Sequence, residues 1–233
     1  MATADSTRRA GPILTAWVAL LILIHAADWL VGSRSPALVR AIEQGEARVE
    51  AQTAGADLSA DAVRKLIQLQ RDTRPFWTTL TLLGDFGAAP LALIGRPLAV
   101  ATLFAAWAAL AGRPNGFGPA LVESAALQGF WLIGPALSLG LTLAGVPGGP
   151  DTALSLFLPP GPHPAWTWAV LHNADIAGLC GWLALAEAGR RRRQVSLGLA
   201  LATLLPLALA EVAFRAVAAA VIEAGMRLTI IPG

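Results

Sequence analysis

LHNADIAGLCGWLALAEAGRRRR, residues 171–193, is the stretch from which the fold is read. It opens polar, with His172, Asn173 and Asp175, runs through small and apolar residues, and stops on Arg190, Arg191, Arg192 and Arg193. An apolar middle that ends in a basic block is the pattern of a helix crossing lipid towards the cytoplasm. Extended back to Pro164, the stretch is long enough to span a bilayer. The arginines set its direction, outside to inside, and the other apolar segments are oriented from it.

Composition agrees with a membrane bundle. Of 233 residues, 55% are hydrophobic and only 14% are charged, against about 25% charged in soluble domains. Mean hydropathy is +0.60. The period-two alternation of a membrane barrel is absent. The expected fold is therefore an all-α, polytopic transmembrane helix bundle forming a single membrane domain over 1–233. A net charge of +2 gives no reason to expect a nucleic-acid partner; the arginine block suits lipid head-group phosphates. Cys180 is the lone cysteine, which excludes an intramolecular disulfide and any CxxC site. No small-x-small cleavage site follows Arg8 and Arg9, so the first apolar run is expected to be retained as an anchor.

Taken in order, residues 12–31 read as the first span, with Trp17 and Trp29 at its interfaces and His25 and Asp28 near its far end. Residues 33–75 form a polar insertion; up to Arg74 it holds seven basic and six acidic residues. Leu38 and Ile42, then Val63, Leu66 and Ile67, recur at helical spacing, and Ser59 with Asp61 marks a helix start. Two amphipathic helices are expected there, over 36–52 and 60–72, with a break at 53–58. Residues 76–93 are apolar but hold Gly84, Asp85, Gly87 and Pro90, and Arg96 with Pro97 interrupts before 98–111. One long kinked helix or a tight hairpin of two spans fits this pattern. Residues 120–144 are the next span, 145–164 a Gly/Pro-rich loop with a helical turn at 152–158, 164–189 the quoted span, and 195–224 the last. The count is five spans, or six if 76–111 is a hairpin. The basic residues of 33–74 lie inside only with six, so the positive-inside rule by itself favours six.

LSADAVRKLIQLQ at 58–70 precedes the second span. Phe117, Ala120, Leu121, Ala125, Ala126 and Leu127 then form F-x-x-A-L-x-x-x-A-A-L, followed by Pro135. TALSLFL occupies 152–158, and Asp175 opens a span that ends in small residues at Gly189. As a whole this resembles the bacterial branch of the Yip1-domain family of membrane proteins. It departs from that family at Ala177 and Cys180, which stand where aromatics are usual. The resemblance implies five spans. Eukaryotic members bind Rab-type GTPases and act in vesicle traffic; what the resemblance implies for a bacterial chain is a membrane-organising role.

Among candidate chemistry, Glu211 and Arg215 lie one turn apart in an apolar helix, where a lone charge costs about 2.5–3.5 kcal/mol. A packing or register pair is the preferred reading over an ion path. Ala210 precedes Glu211 and no His follows it, which excludes a CAAX-type intramembrane protease. His25 and His172 are candidate ligands for haem or a pigment, with ordinary hydrogen-bonded histidines preferred. His172, Asn173 and Asp175 form a polar cluster that Glu123 and Asp85 are expected to face from neighbouring helices. The simplest role for Asn173 or Asp175 is a helix N-cap. No nucleophile elbow, phosphate loop or metal cluster appears, so the chain is expected to be non-enzymatic and to carry no cofactor. Two functions remain. One is a scaffold or accessory subunit in the bacterial cytoplasmic membrane, with a membrane-protein partner or a second copy of itself. The other is a small transporter or channel using Asp85, Glu123, Asp175 and Glu211. Tight packing at Gly134, Gly140, Gly178 and Gly181 belongs to the first, a continuous wet cavity to the second.

Overall fold

A computed structural model describes residues 2–32, 59–113, 116–146, 152–159 and 164–227. These residues form helices α1 (Ala2–Val31), α2 (Ala60–Asp72), α3 (Arg74–Leu83), α4 (Ala89–Leu110), α5 (Phe117–Ala126), α6 (Phe130–Leu143), α7 (Ala165–Asn173), α8 (Ile176–Arg191) and α9 (Leu197–Arg227). No strand occurs among the described residues; a single antiparallel bridge joins Ala153 to Asp175. The expected helix at 36–52 and the break at 53–58 lie outside the described residues.

Among the described residues, four helical runs are long and apolar enough to cross a membrane: Arg9–Val31, Ala60–Leu110, Phe117–Leu143 and Leu197–Val221. The ambiguous region resolves into one run. From α3 the chain passes through a π-helical turn, Gly84–Ala88, directly into α4, and does not reverse at Arg96 and Pro97. A reversal is unnecessary because Arg96 is neutralised inside the bundle, as described below. The 120–144 span is likewise longer than expected, and it tightens to a 3-10 turn at Leu127–Gly129 between α5 and α6.

The quoted span is not one helix. After α7 the backbone extends at Ala174 (ψ 91°) and Asp175 (ψ 129°) before α8 begins. α8 has 16 residues, about 24 Å, and is too short to cross alone. Broken backbone at membrane depth must find partners within the protein. Here the chain around the short 3-10 helix Leu154–Phe157 folds back to supply them. Leu154 N donates to Ala174 O at 2.9 Å, and Ile176 N donates to Thr152 O at 3.0 Å.

The core lies between α1, α4, α6, α8 and α9, around Val100, Phe104, Trp131, Leu185 and Leu204. α1 meets α5 through Ala10, Ala120, Leu121 and Ala125; small residues let helices approach closely where lipid supplies no hydrophobic drive. α8 meets α6 in the same manner. A Cβ at Gly181 would stand 2.7 Å from the Trp131 ring and 2.9 Å from Phe130 Cβ. Gly134 is filled by Thr152 and Asp175, and Gly178 by Trp131 and Asp175. Gly140, expected on the same packed face, has nothing within 4 Å and is corrected to an open position. Gly181→Ala should therefore lower stability in detergent by about 1–3 kcal/mol, whereas Gly140→Ala should raise it by about 0.5–1 kcal/mol through helix propensity. Equal melting shifts for the two variants would contradict this packing.

Candidate functional site

The most constrained side chain is Arg96, on α4. It is 7% exposed, in a setting where an unpaired charge is costly. Four partners from four elements surround it. Arg96 Nε donates to Glu211 Oε2 at 3.2 Å and Nη2 donates to Glu211 Oε1 at 2.5 Å, a two-pronged grip on the α9 carboxylate. Nη1 donates to Gln128 Oε1 at 2.7 Å. Gln128 is fully buried, and its Nε2 donates to Ser124 O at 2.9 Å. The guanidinium carbon lies 3.9 Å from the centroid of Trp131 and 5.8 Å from that of Trp182. A planar, weakly hydrated cation suits both the fork and the aromatic face. The two rings meet edge to face at 5.7 Å, a favoured aromatic geometry.

Glu211 and Arg215 do pair, Nη2 donating to Oε1 at 2.5 Å. The two are not a self-contained unit, however. Glu211 is gripped from the buried side by Arg96, and Arg215 is the outer member, its side chain 42% exposed. Beside them opens a cleft of about 20 Å³ lined by Trp131, Asn173, Asp175, Trp182, Glu211 and Arg215. That is room for about one water.

Asp175 caps α8. Its Oδ2 accepts from Gly178 N at 2.8 Å and its Oδ1 accepts from Thr152 Oγ1 at 2.6 Å, so one carboxylate holds both the helix start and the returning 152–158 segment. Asn173 bonds back along α7 to Ala169 O and lines the same cleft. His172 is exposed and is not part of the cleft lining.

Asp85 and Glu123 do not face this cluster. Asp85 sits on the π-helical turn, where its Oδ2 accepts from Trp29 Nε1 of α1 at 3.0 Å. His25 Nδ1 lies 3.9 Å from Asp85 Oδ1, and the His25 ring stands edge-on to Phe86. A π-turn widens the helix by one residue, and here it carries Asp85 against α1. Glu123 pairs with Arg192 at the arginine end of α8, the far end from Asp175. Among the described residues no group of three His, Cys, Asp or Glu side chains is arranged to hold a metal.

The arginine end is a built turn. Glu187 accepts from Arg190 Nε and Nη2, both at 2.6 Å, and from Arg191 Nε at 2.8 Å. Arg113, at the end of α4, donates to Arg193 O at 2.6 Å and Gln194 O at 3.2 Å, and Gln194 Nε2 donates to Gly116 O at 3.1 Å. The α8–α9 turn is thereby tied to the α4–α5 turn.

Sequence reasoning singled out Glu211, Arg215 and Asp175, but missed Arg96, Gln128, Trp131 and Trp182 as members of the site. A signal for Arg96 existed: it is an arginine within an apolar run, and Glu211 was available to neutralise it. Comparisons with protein-family models, curated proteins and solved structures find no match. Glu211→Ala should orphan the buried guanidinium and cost about 3–5 kcal/mol, while Arg96→Met combined with Glu211→Leu should recover much of the loss. Arg215→Ala, at the half-exposed position, should cost about 1 kcal/mol or less. Melting of the detergent-solubilised variants measures all three, and a double variant no better than Glu211→Ala would refute the pairing.

Proposed function

We propose that this chain is a non-enzymatic integral membrane protein of the bacterial cytoplasmic membrane, acting as a scaffold or as an accessory subunit of a larger membrane assembly. The observation that carries this reading is the dispersal of the four acids. Asp85, Glu123, Asp175 and Glu211 are each engaged by different partners: Trp29, Arg192, Thr152 and Arg96. A conducting path needs acids that share one wet space. Here Asp175 and Glu211 share a cleft of about 20 Å³, and Asp85 and Glu123 are not among its lining residues. The polar groups serve to hold helices together, which suits a rigid organiser. The Yip1-domain resemblance points the same way.

In this reading the chain crosses five times: by α1, by the α2–α4 run, by the α5–α6 run, by α7 with α8, and by α9. The amino terminus and the arginine turn are cytoplasmic, and 152–158 is extracytoplasmic. Cysteines at Phe157 and Ser196, both exposed, should label from opposite sides of sealed vesicles in a Cys180→Ala background. Labelling from one side would refute the topology.

The charged face of α2, with Arg64, Lys65 and Arg71, is the expected partner-docking surface. Cross-linking at native expression should capture a defined membrane-protein partner, and neutralising those three residues should weaken capture while leaving the melting temperature unchanged. Solute or ion flux through purified proteoliposomes, abolished by Glu211→Gln, would replace this reading with the transporter.

A further inference from the structure

We propose that the turn between α8 and α9 is a specific binding site for the phosphate of an anionic phospholipid head group, gripped by Arg190, Arg191 and Arg193. This rests on the reading above only in placing the turn at a membrane face. The first observation is backbone geometry. Four left-handed residues follow helices among the described residues: Gly32 (φ 79°), Gly112 (φ 66°), Gly145 (φ 77°) and Arg193 (φ 55°). Three are glycines, the residue this conformation favours. The fourth is an arginine, the sole non-glycine with positive φ among the described residues. The turn is an ordinary Schellman cap in its bonds: Arg193 N donates to Arg190 O at 2.9 Å and Gln194 N to Gly189 O at 3.2 Å. Nothing in the cap itself calls for a side chain at this position.

The second observation is how the charge is distributed. Arg192 is taken by Glu123, and Arg113 by the carbonyls of the turn. Arg190 and Arg191 share the single carboxylate of Glu187, so that trio retains one positive charge. The Arg193 side chain is exposed and has no ion-pair or hydrogen-bond partner among the described residues. Three unbalanced positive charges thus stand together, one on the Glu187 trio, one on Arg193 and one on Arg113, whose carbonyl partners carry no net charge. The turn that presents them is held fixed by Arg113, Gln194 and Glu123. The turn joins an apolar helix that ends here to another that begins here, which is the level of lipid phosphates rather than of bulk solvent. Guanidinium forks match phosphate oxygens in geometry as well as charge.

The test uses the full-length protein in nanodiscs of equal phosphatidylglycerol and phosphatidylcholine, extracted mildly, with retained lipid identified by mass. The wild type should retain phosphatidylglycerol preferentially. Arg193→Gln should lower that preference about fivefold, Arg193→Lys should keep most of it, and Arg190→Gln with Arg191→Gln and Arg193→Gln should abolish it. Arg193→Gly should lower the preference as much as Arg193→Gln yet melt higher in discs of phosphatidylcholine alone, because glycine relaxes the left-handed backbone. An unchanged preference in the triple variant would overturn the proposal. So would a lower melting temperature for Arg193→Gly, which would make the arginine a structural member of the turn. Complete displacement of lipid by inorganic phosphate at constant ionic strength would also overturn it, in favour of a free-anion site. Both faces of a nanodisc carry the same lipid, so an inverted topology leaves these outcomes unaltered and is detected separately by the cysteine labelling.

Discussion

A guanidinium inside an apolar bundle must be neutralised, and the arrangement of this molecule follows from how Arg96 meets that demand. The Glu211 carboxylate of α9 and, from the α5–α6 run, Gln128 and the Trp131 face converge on one group of α4. Their convergence fixes α9 beside α4 and sets the register of α6 through the 3-10 turn that carries Gln128. Hydrophobic contact alone discriminates poorly between registers where lipid is as apolar as the helix surface. A charge pair with two-pronged geometry does discriminate, since a slip of one residue would leave the buried Arg96 guanidinium without its carboxylate, while Glu211 would keep only Arg215 of its own helix.

The break between α7 and α8 obeys the same constraint at the level of backbone. Lipid offers no partner to an exposed amide. Asp175 meets this by capping Gly178 N while binding Thr152, and the returning segment meets the carbonyl of Ala174 and the amide of Ile176. The loss of a continuous helix is thereby compensated, and the polar break is placed beside Glu211 and Arg215. Trp131 links the two sites physically: its ring covers Arg96 and packs against Gly178 and Gly181 of α8. A larger residue at either glycine would press on that ring and, through it, on the buried ion pair.

At the opposite end of α8 the chemistry changes from buried neutralisation to exposed excess. Glu187 and Glu123 offset part of the arginine charge, and Arg113 fastens the turn by its carbonyls. The contrast with the glycine-ended helices α4 and α6 shows that chain reversal at this depth is achieved without a strained side chain. Arg193 is therefore better explained by what it presents than by how the chain turns.

Much of the architecture is legible in the sequence, because its cause is local. Apolar runs of membrane length, the polar opening of 171–175, the helical turn within 152–158 and the basic stop at 190–193 are written in consecutive residues. The sequence also offers Asn173 or Asp175 as the cap of the small-residue helix that follows, and the structure gives that role to Asp175. What consecutive residues do not encode is partnership. Arg96 and Glu211 are separated by 115 positions, and Glu211 has a nearer and obvious neighbour in Arg215. The sequence therefore suggests an i,i+4 pair where the fold builds a network of buried groups. The same holds for Asp85 and Glu123, whose residue type suggests a common cluster until helix packing sends one to Trp29 and the other to Arg192. Periodicity determines which segments are helices and roughly how they enter a membrane. Only the packed tertiary structure decides which charges neutralise one another, since that choice depends on distances that arise when the helices come together.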